Sequence, residues 1–297
     1  MKNKKYIFLI LHYQNIEVTN SCINSLLNFI NMHEIQIVIV DNGSPNTTGK
    51  LLREKWKENQ YVDVLLNRKN EGFSRGNNYG FKYIKNNYNF EYLIVINNDI
   101  EIRDINFCLK IDKIYHDDYF DVLGPDVYKE KSGIHQNPER IVVDSLKDVE
   151  DTIKVEKRKY RFYFYYSLKM IINTRKLCVK QKKGKNRICC DCKEKKDNIN
   201  DKIKLHGSCL IFSSRYIREN SYIFSPETFL YCEEDILALK CKKMGYKVLY
   251  DPSIQIIHLG SASSNLMTIK GRKKFYERRI RALDIVKNYI IEEFENG

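Results

Sequence analysis

The chain has 297 residues, of which 43% are hydrophobic and 30% charged; this excludes compositional disorder and allows one large domain or two small ones. Its 51 Lys and Arg against 38 Asp and Glu give a formal net charge of +13, compatible with nucleic acid, an anionic membrane or a phosphorylated substrate. Nine unevenly spaced cysteines without an export signal argue against a secreted disulfide scaffold, and no apolar run approaches the roughly 20 residues of a transmembrane helix. We therefore expect reduced thiols and a cytoplasmic protein.

The first 125 residues alternate short β-branched apolar runs with segments of helical apolar spacing, and this alternation predicts a mostly parallel sheet flanked by helices. The predicted strands cover residues 6–11, 35–40, 62–66 and 92–96. Their continuous apolar character indicates a sheet buried on both faces. Ligands of such sheets bind at the carboxyl ends of the strands, so the polar loops after these runs are the predicted site.

These four loops carry side chains suited to binding a nucleotide and its phosphates. The glycines of residues 72–80 do not fit the dinucleotide fingerprint or the P-loop, which disfavours a nicotinamide cofactor. Loop amides, Arg75 and a metal could bind phosphate there instead, whereas residues 41–44 could equally form an ordinary turn. The candidates for donor binding are His12, Tyr13, Asn15, Asp41, Asn42, Asn70, Gly72, Arg75, Asn77, Asn97 and Asn98.

Asp99 directly follows a predicted buried strand, where a carboxylate can bind Mg²⁺ or Mn²⁺ together with substrate phosphates. The alternative is that this loop only caps the next helix. His258 ends a later apolar run, residues 254–257, and its neutral imidazole could complete the Asp99 site or be purely structural.

Three consecutive acids, Glu233, Glu234 and Asp235, begin an amphipathic helix that Gly245 should end. Acids at a helix start often only complement the helix dipole. The functional alternative is that one of them is a general base that removes a proton from an acceptor hydroxyl.

Apolar periodicity fades in residues 127–204, which we interpret as an insertion. Residues 157–187 hold twelve Lys or Arg and no Asp or Glu, interleaved with six aromatic residues in 160–166. The cysteines Cys178, Cys189, Cys190 and Cys192 suggest a zinc site by residue type. Their spacing disfavours it, because it does not match the paired ligands of common structural zinc sites. A basic helical tail follows from residue 270 to residue 294.

Six motifs in this order resemble the family 2 glycosyltransferases, particularly the bacterial rhamnosyltransferase-like members that build surface polysaccharides such as capsule and O-antigen. The resemblance covers residues 5–125 and 205–265. Each motif lies at a predicted strand end or helix start: residues 41–44, 70–80, 93–99, 207–212, 233–235 and His258.

The resemblance implies an α/β GT-A fold, a UDP- or dTDP-sugar donor and an inverting single displacement onto a glycan or lipid-linked acceptor. Asp41 matches the acid that contacts the nucleotide base, and Asp99 and His258 match ligands of a divalent metal. Asn97-x-Asp99 replaces the usual Asp-x-Asp. Glu234 matches the catalytic base, where Asp is commoner, with Asp235 as the competing candidate and Glu233 as the preceding acid.

We expect a catalytic domain in residues 1–265, which includes the insertion, and a separate helical tail in residues 266–297. A sugar nucleotidyltransferase is a rival, but it would need a glycine-rich basic loop after the first strand. A nucleic-acid-binding module built on residues 157–187 is a second rival, which leaves the strand-end acids unexplained. Our hypothesis is that this basic segment, and with it the tail, binds an anionic membrane at the inner face of the plasma membrane, while the tail could also mediate dimerisation.

Overall fold

The computed structural model describes residues 1–28, 33–140, 145–166, 203–260 and 269–295. The chain forms two compact units, one of Met1–Ile141 with Lys196–Leu259 and the other of Val142–Lys195 with Gly260–Gly297. The first part of the predicted insertion, residues 127–141, thus belongs with the first unit. The cysteines Cys178, Cys189, Cys190 and Cys192 lie outside the described residues.

The elements alternate as the sequence predicts in the first half of the chain. The strands are β1 (Lys2–Asn3), β2 (Tyr6–His12), β3 (Ile35–Asp41), β4 (Val62–Leu66), β5 (Tyr88–Asn89), β6 (Tyr92–Asn97), β7 (Ile100–Glu101), β8 (Val122–Lys129), β9 (Ile134–His135), β10 (Glu139–Arg140), β11 (Ile203–Lys204), β12 (Cys209–Ser213) and β13 (Val248–His258). The helices are α1 (Ile16–Leu27), α2 (Thr48–Trp56), α3 (Gly72–Asn87), α4 (Phe107–Asp118), α5 (Leu146–Arg161), α6 (Ser214–Glu219), α7 (Glu233–Met244) and α8 (Ile269–Ile290), and a π-helical turn covers Ile291–Glu295.

The first unit is built on a nine-stranded sheet in the order β4-β3-β2-β6-β12-β8-β13-β7, with β9 paired to β8. Strands β4, β3, β2 and β6 are mutually parallel, whereas β12 runs antiparallel to both of its neighbours and β13 is parallel to β8. The α/β GT-A class expected from the sequence is confirmed, with a sheet that is parallel at one end and mixed at the other.

Alternate residues of each central strand face opposite sides of the sheet, and both sides are packed. Tyr6, Phe8 and Ile10 of β2 belong to one apolar cluster, and Ile7 and Leu9 belong to the other. All five are at most 1% exposed. This two-sided burial explains the continuous apolar runs, because both faces of a parallel sheet are covered by helices. Burial of one such large apolar side chain is worth about 1.5–3 kcal/mol.

Two glycines in the glycine-rich stretch serve packing of α3 on the sheet. A Cβ at Gly80 would lie 2.4 Å from Leu9 Cδ1, and one at Gly76 would lie 2.6 Å from Leu11 Cδ1. A Cβ at either position would therefore force the leucine side chain or the helix to shift. These two glycines carry the helix close to the strands, which is a packing role and not the cradling of a phosphate.

The second unit contains α5 packed against α8. Lys287 Nζ donates to Glu150 Oε1 at 2.6 Å, and Tyr160 Oη donates to Glu277 Oε1 at 2.9 Å. Buried Glu156 lies 3.8 Å from Arg279 Nε in the same helix pair. Across the described ranges, every helix lacks either the length or the apolar character that crossing a bilayer requires.

Candidate functional site

The carboxyl ends of four parallel strands meet at one edge of the sheet in close register. His12 pairs with Asp41 across β2 and β3, Asp41 with Leu66 across β3 and β4, and Leu11 with Asn97 across β2 and β6. Parallel strands in register place the loops that follow them side by side, so the predicted donor-binding loops share one edge.

His12 is fully buried between two threonines. Its Nδ1 lies 2.7 Å from Thr19 Oγ1 and its Nε2 lies 3.0 Å from Thr48 Oγ1. Burial lowers the pKa of the imidazole, against the opposing charge of Asp41, so the ring is neutral near pH 7. Both ring nitrogens are thus bonded inside the protein, and the ring ties α1 and α2 to the strand ends.

Asp41 is 5% exposed and its carboxylate is held at the start of the following loop. Oδ1 accepts from the Ser44 amide at 3.2 Å, so the turn predicted for residues 41–44 is present. A Cβ at Gly49 would lie 2.0 Å from Asp41 Oδ2, which shows how closely α2 approaches the carboxylate. The residue is therefore both a turn former and a rigidly placed acid at the site edge.

Asn42 connects this loop to the one before α3. Its Nδ2 donates to Asn70 Oδ1 at 3.2 Å and to the Gly72 carbonyl at 2.9 Å, while its Oδ1 accepts from the Glu71 amide at 3.1 Å. Gly72 has φ +83°, and a Cβ there would lie 2.2 Å from the Phe229 carbonyl oxygen. Asn42, Asn70 and Gly72 thus form the framework of the loop.

The remaining donor-binding candidates differ in what their side chains can reach. Arg75 Nε donates to the Pro226 carbonyl at 2.7 Å and Asn77 Nδ2 to the Phe73 carbonyl at 3.0 Å. Within the part of the chain that the structure describes, buried Asn77 Oδ1 has no hydrogen-bond partner. Asn15 caps α1 by accepting from the Val18 amide at 3.3 Å, and Tyr13 is 41% exposed.

Asp99 and His258 lie together where β6 and β13 end. His258 Nε2 is 3.3 Å from Asp99 Oδ2, and Asp99 is 3% exposed. Asn97 is held by its amide, which donates to the Ser208 carbonyl at 2.9 Å, and Asn98 Nδ2 donates to Thr19 Oγ1 at 2.9 Å. Of the four residues in this corner, Asp99 and His258 are the pair whose ligand atoms converge.

A divalent metal fits the chemistry of this pair. One carboxylate oxygen and one imidazole nitrogen face each other, and Mn²⁺ accepts both donor types, with the remaining positions open to phosphate and water. Among the residues described, clusters of three or more His, Cys, Asp or Glu suited to a metal do not occur. The protein would thus supply two ligands, and a bound diphosphate would have to supply others.

Two residues beside this pair were missed by sequence reasoning. Gln136 Oε1 lies 2.6 Å from His258 Nδ1, and Gln136 Nε2 lies 3.4 Å from His206 Nε2. The rings of His206 and His258 are 5.9 Å apart in an edge-on arrangement. Burial, and then the nearby His258, lower the pKa of His206 to about 4, so this ring is neutral. Neither residue stands in a local pattern that could have revealed it.

The three acids at the start of α7 have three different environments. Glu234 is partly exposed, and a Cβ at Gly207 would lie 2.2 Å from its Oε1. Asp235, 3% exposed, accepts from Lys204 Nζ at 2.9 Å. Glu233 is also 3% exposed, and its Oε2 has no hydrogen-bond partner in the residue ranges described.

Charge in this acidic cluster is distributed unevenly. Burial raises the pKa of Glu233 well above its ordinary value, and the charge of Glu234 adds to this shift. Desolvation also raises the pKa of Glu234, while Lys204 opposes the shift. Burial opposes the charge on Lys204, but Asp235, Glu234 and Glu139 outweigh it and raise the pKa of the ammonium group. Lys204, at the end of the predicted insertion, thus supplies the positive charge beside these acids.

Strained backbone occurs directly before α7 and in two of the strand-end loops. Tyr231 and Cys232, directly before α7, have φ +78° and +64°, and Gln14 and Thr47 in the loops after β2 and β3 have φ +66° and +61°. Non-glycine residues in this conformation cost energy and cluster at functional sites, where the surrounding structure enforces them.

The model of the family described as "Glycosyl transferase family 2" matches residues 8–181, more than half of the chain. The chain belongs to glycosyl transferase family 2. The match confirms the family that the six motifs predicted. No curated protein matches the sequence.

Solved structures of similar fold are distant in sequence. Staphylococcus aureus TarS 1–349 in complex with UDP is 12% identical with a TM-score of 0.51, over 85% of this chain and 60% of that one. The Pyrobaculum calidifontis mannosyltransferase PcManGT, in complex with GDP-Man and Mn²⁺, is 10% identical with a TM-score of 0.54, over 98% and 73%. GalNAc-T7 with UDP, GalNAc and Mn²⁺ is 13% identical with a TM-score of 0.56, over 86% and 43%. The present chain thus spans about 60% of the TarS structure.

Proposed function

We propose that this glycosyltransferase moves a sugar from a nucleotide-sugar donor to a hydroxyl of a glycan or lipid-linked acceptor, with inversion in a single displacement. The observation that carries the proposal is the convergence of Asp99 Oδ2 and His258 Nε2, 3.3 Å apart at the carboxyl ends of the strands. The acidic cluster on α7 supplies a candidate base. Structures of fold neighbours in complex with UDP or with GDP-Man and Mn²⁺ support the donor class.

Asp99 and His258 would hold a Mn²⁺ or Mg²⁺ ion. A divalent ion, when bound, stabilises the negative charge that develops on a departing diphosphate. Asp41, at the end of β3, is the candidate contact for the nucleotide base. His12, Asn15, Asn42, Asn70, Gly72 and Asn98 would position the loops around the donor from within, while Tyr13, Arg75, Asn77 and Asn97 are the candidates for direct contact.

Glu234 is the proposed base, and Lys204 is the reason for preferring it to Asp235. Lys204 donates to Asp235 at 2.9 Å, and the two side chains are only 11% and 5% exposed, so Asp235 is committed to a buried ion pair. Glu234 is less buried and its pKa is raised, which suits a group that must accept a proton. Glu233 is 3% exposed and burial raises its pKa well above its ordinary value, so it is the least accessible and the least readily ionised of the three.

Thermal denaturation with a donor panel tests the donor and the metal together. UDP-, dTDP- and GDP-sugars, each with and without Mn²⁺, should include one donor that raises the melting temperature only when Mn²⁺ is present. Asp99→Ala and His258→Ala should lose this metal-dependent shift. A panel in which every donor acts equally with and without Mn²⁺ would contradict the metal assignment.

The base is tested separately by Glu234→Gln. This variant should keep the donor-induced thermal shift and lose transfer, because the amide fills the same volume but cannot accept the proton. Normal turnover in Glu234→Gln, with loss of turnover in Asp235→Asn, would move the base to Asp235.

A membrane-bound acceptor is the third part of the proposal. Phe162, Phe164 and Tyr165 follow α5 and are 51%, 56% and 60% exposed, next to a run of Lys and Arg. Exposed aromatic rings beside basic residues suit a bilayer interface with anionic lipid. This supports a peripheral protein at the inner face of the plasma membrane, acting in surface polysaccharide synthesis. The rhamnosyltransferase-like branch and a homodimer through the tail stay predictions.

Vesicle sedimentation tests this surface. Replacement of Phe162, Phe164 and Tyr165 by Ser should weaken binding to vesicles of anionic phosphatidylglycerol. A control with Ser at the exposed Leu51 and Leu109, which lie in the first unit, should bind normally. Equal binding by both variants, or a preference of the wild-type protein for single-stranded RNA over the vesicles, would overturn the membrane assignment.

A further inference from the structure

The hydroxyl groups of Ser74 and Thr228 form a buried hydrogen bond between α3 and the segment that leads to α7. Their oxygens are 2.6 Å apart, and both residues are 0% exposed. Thr228 Oγ1 also donates to the Ser225 carbonyl at 3.2 Å. A hydroxyl group has one proton to donate, so Ser74 is the donor to Thr228.

Residues 223–229, which we call the strap, are bonded to the first turns of α3 along their whole length. Side chains and backbone of α3 make three further hydrogen bonds to strap carbonyls, each at 2.7 Å: from the Phe73 amide to Phe229, from Arg75 Nε to Pro226 and from Asn78 Nδ2 to Phe224. Asn78 Oδ1 in turn accepts from the Ile223 and Phe224 amides at 3.0 and 3.2 Å. The strap is therefore fixed to α3 at both of its ends, and the bond between Ser74 and Thr228 lies between them.

The backbone between the strap and α7 is strained. Residues 230–232 make this connection, and within it Tyr231 and Cys232 have φ +78° and +64°. Non-glycine residues keep this conformation when the structure on both sides enforces it. On the helix side the Ile236 amide donates to the Cys232 carbonyl at 3.1 Å, and on the other side the strap is bonded to α3. A loosened strap would let the strained residues relax and would move the start of α7, where Glu234 lies.

The same turn of α3 also contacts the framework of the candidate donor site. The helix begins at Gly72, whose carbonyl accepts from Asn42 Nδ2 at 2.9 Å, and Ser74 follows two residues later. One helical turn thus touches the donor loop on one side and, through Thr228, the segment that carries the proposed base. A displacement reaction needs its base at a fixed place relative to the donor, and this turn connects the two.

We propose that Ser74 and Thr228 are positioning residues, whose hydroxyl pair fixes the strap on α3 and so sets the Glu234 carboxylate relative to the donor. The inference rests on the proposed function, in which Glu234 is the base. It gives a role to the serine of the glycine-rich motif and adds Thr228, which lies outside the resembling motifs. A displacement of about 1 Å in such a group can cost about 100-fold in rate.

Steady-state kinetics with the donor identified by the thermal panel tests the role. Ser74→Ala and Thr228→Val break the same bond from opposite sides, and each should lower kcat by at least about tenfold while the donor KM stays near wild type. Thr228→Ser keeps the hydroxyl group and should keep kcat near wild type. Ser213→Ala is the matched control, because this serine of β12 is equally buried and lies outside the strap.

Hydrogen exchange, measured by mass spectrometry, locates the displacement. Ser74→Ala should raise amide exchange in residues 223–236 and leave the rest of α7 and the circular dichroism as in the wild type, whereas Ser213→Ala should not raise exchange there. A kcat within about threefold of wild type in folded Ser74→Ala or Thr228→Val would overturn the proposal. A raised donor KM with an unchanged kcat would also overturn it, because the pair would then act on donor binding. If Thr228→Val does not fold, Ser74→Ala alone decides.

Failure of this inference is distinguishable from failure of the proposed function. If Glu234→Gln turns over normally, the base assignment is refuted, and the positioning role of Ser74 and Thr228 falls with it. If Glu234→Gln loses transfer and Ser74→Ala keeps the wild-type kcat, only the positioning role is refuted.

Discussion

Alanine at position 207 tests whether the Glu234 carboxylate must stay where the fold places it. A Cβ there would lie 2.2 Å from Glu234 Oε1, 2.9 Å from its Cδ and 3.0 Å from its Cγ. These distances are far inside van der Waals contact, so the carboxylate must retreat by about 1 Å. Glu234 is a flexible side chain at a partly exposed position, so the displacement should cost little folding energy.

A displacement of about 1 Å in a group that must meet a reacting hydroxyl can cost about 100-fold in rate. Gly207→Ala should therefore lower kcat by about that factor and leave the donor KM and the melting temperature near wild type. Steady-state kinetics with the donor identified by the thermal panel measures this. The double variant with Glu234→Asp, whose shorter side chain leaves room for the new methyl group, should lose less than the two single losses combined.

A Gly207→Ala enzyme whose kcat stays within about threefold of wild type would show that Glu234 is not the base, because a displacement of this size should cost about 100-fold. A variant with a strongly lowered melting temperature would instead show that the packing around Gly207 cannot yield, and circular dichroism separates that outcome from a catalytic loss.

Three further changes probe other parts of the site. Gly49→Ala puts a Cβ 2.0 Å from Asp41 Oδ2 and so displaces this carboxylate. The variant should raise the donor KM more than it lowers kcat. Steady-state kinetics that show a change in kcat alone would contradict a donor-binding role for Asp41. Glu233→Gln removes a buried carboxyl whose raised pKa makes the folded state bind more protons than the unfolded state. The wild-type free energy of unfolding should thus fall as pH rises from about 4.5, and urea titrations at pH 4, 6 and 8 should show a shallower fall in the variant; equal slopes would contradict this. Lys204→Met leaves Asp235 buried without its cation and should lower the free energy of unfolding in urea by about 3–5 kcal/mol. Because Lys204 lowers the pKa of Glu234, the same variant should move the acid limb of the pH profile of kcat to higher pH. An unchanged acid limb would show that Lys204 does not act on the base.

Much of the sheet could be predicted from local pattern. The apolar runs at residues 6–11 and 62–66 correspond to β2 (Tyr6–His12) and β4 (Val62–Leu66), each within one residue. The acidic helix ends at Gly245, whose φ of +65° matches a left-handed helix cap. These features depend on residues close together in the chain, and periodicity and backbone preference are local properties.

Local pattern also indicated which side chains stand at strand ends, but not what each one does there. His12 and Asn42 are polar residues after buried strands, and in the structure they bond to neighbouring loops and helices. Gly76 and Gly80 in a stretch read as a candidate phosphate loop are contact points between α3 and β2. A residue's type and position predict that it borders a site, whereas its partners decide whether it faces a ligand or the protein.

The amino-acid sequence by itself determined the α/β architecture, the family and the edge of the sheet where the candidate site lies, because apolar periodicity and the composition of strand-end loops are properties of consecutive residues. Only the tertiary structure decided that Lys204 pairs with Asp235 and so favours Glu234, and that Gln136 and His206 stand behind His258. These partners are separated by 31, 122 and 70 residues along the chain. Contacts over such separations arise from the order of strands in the folded sheet, and no short pattern in one sequence records them.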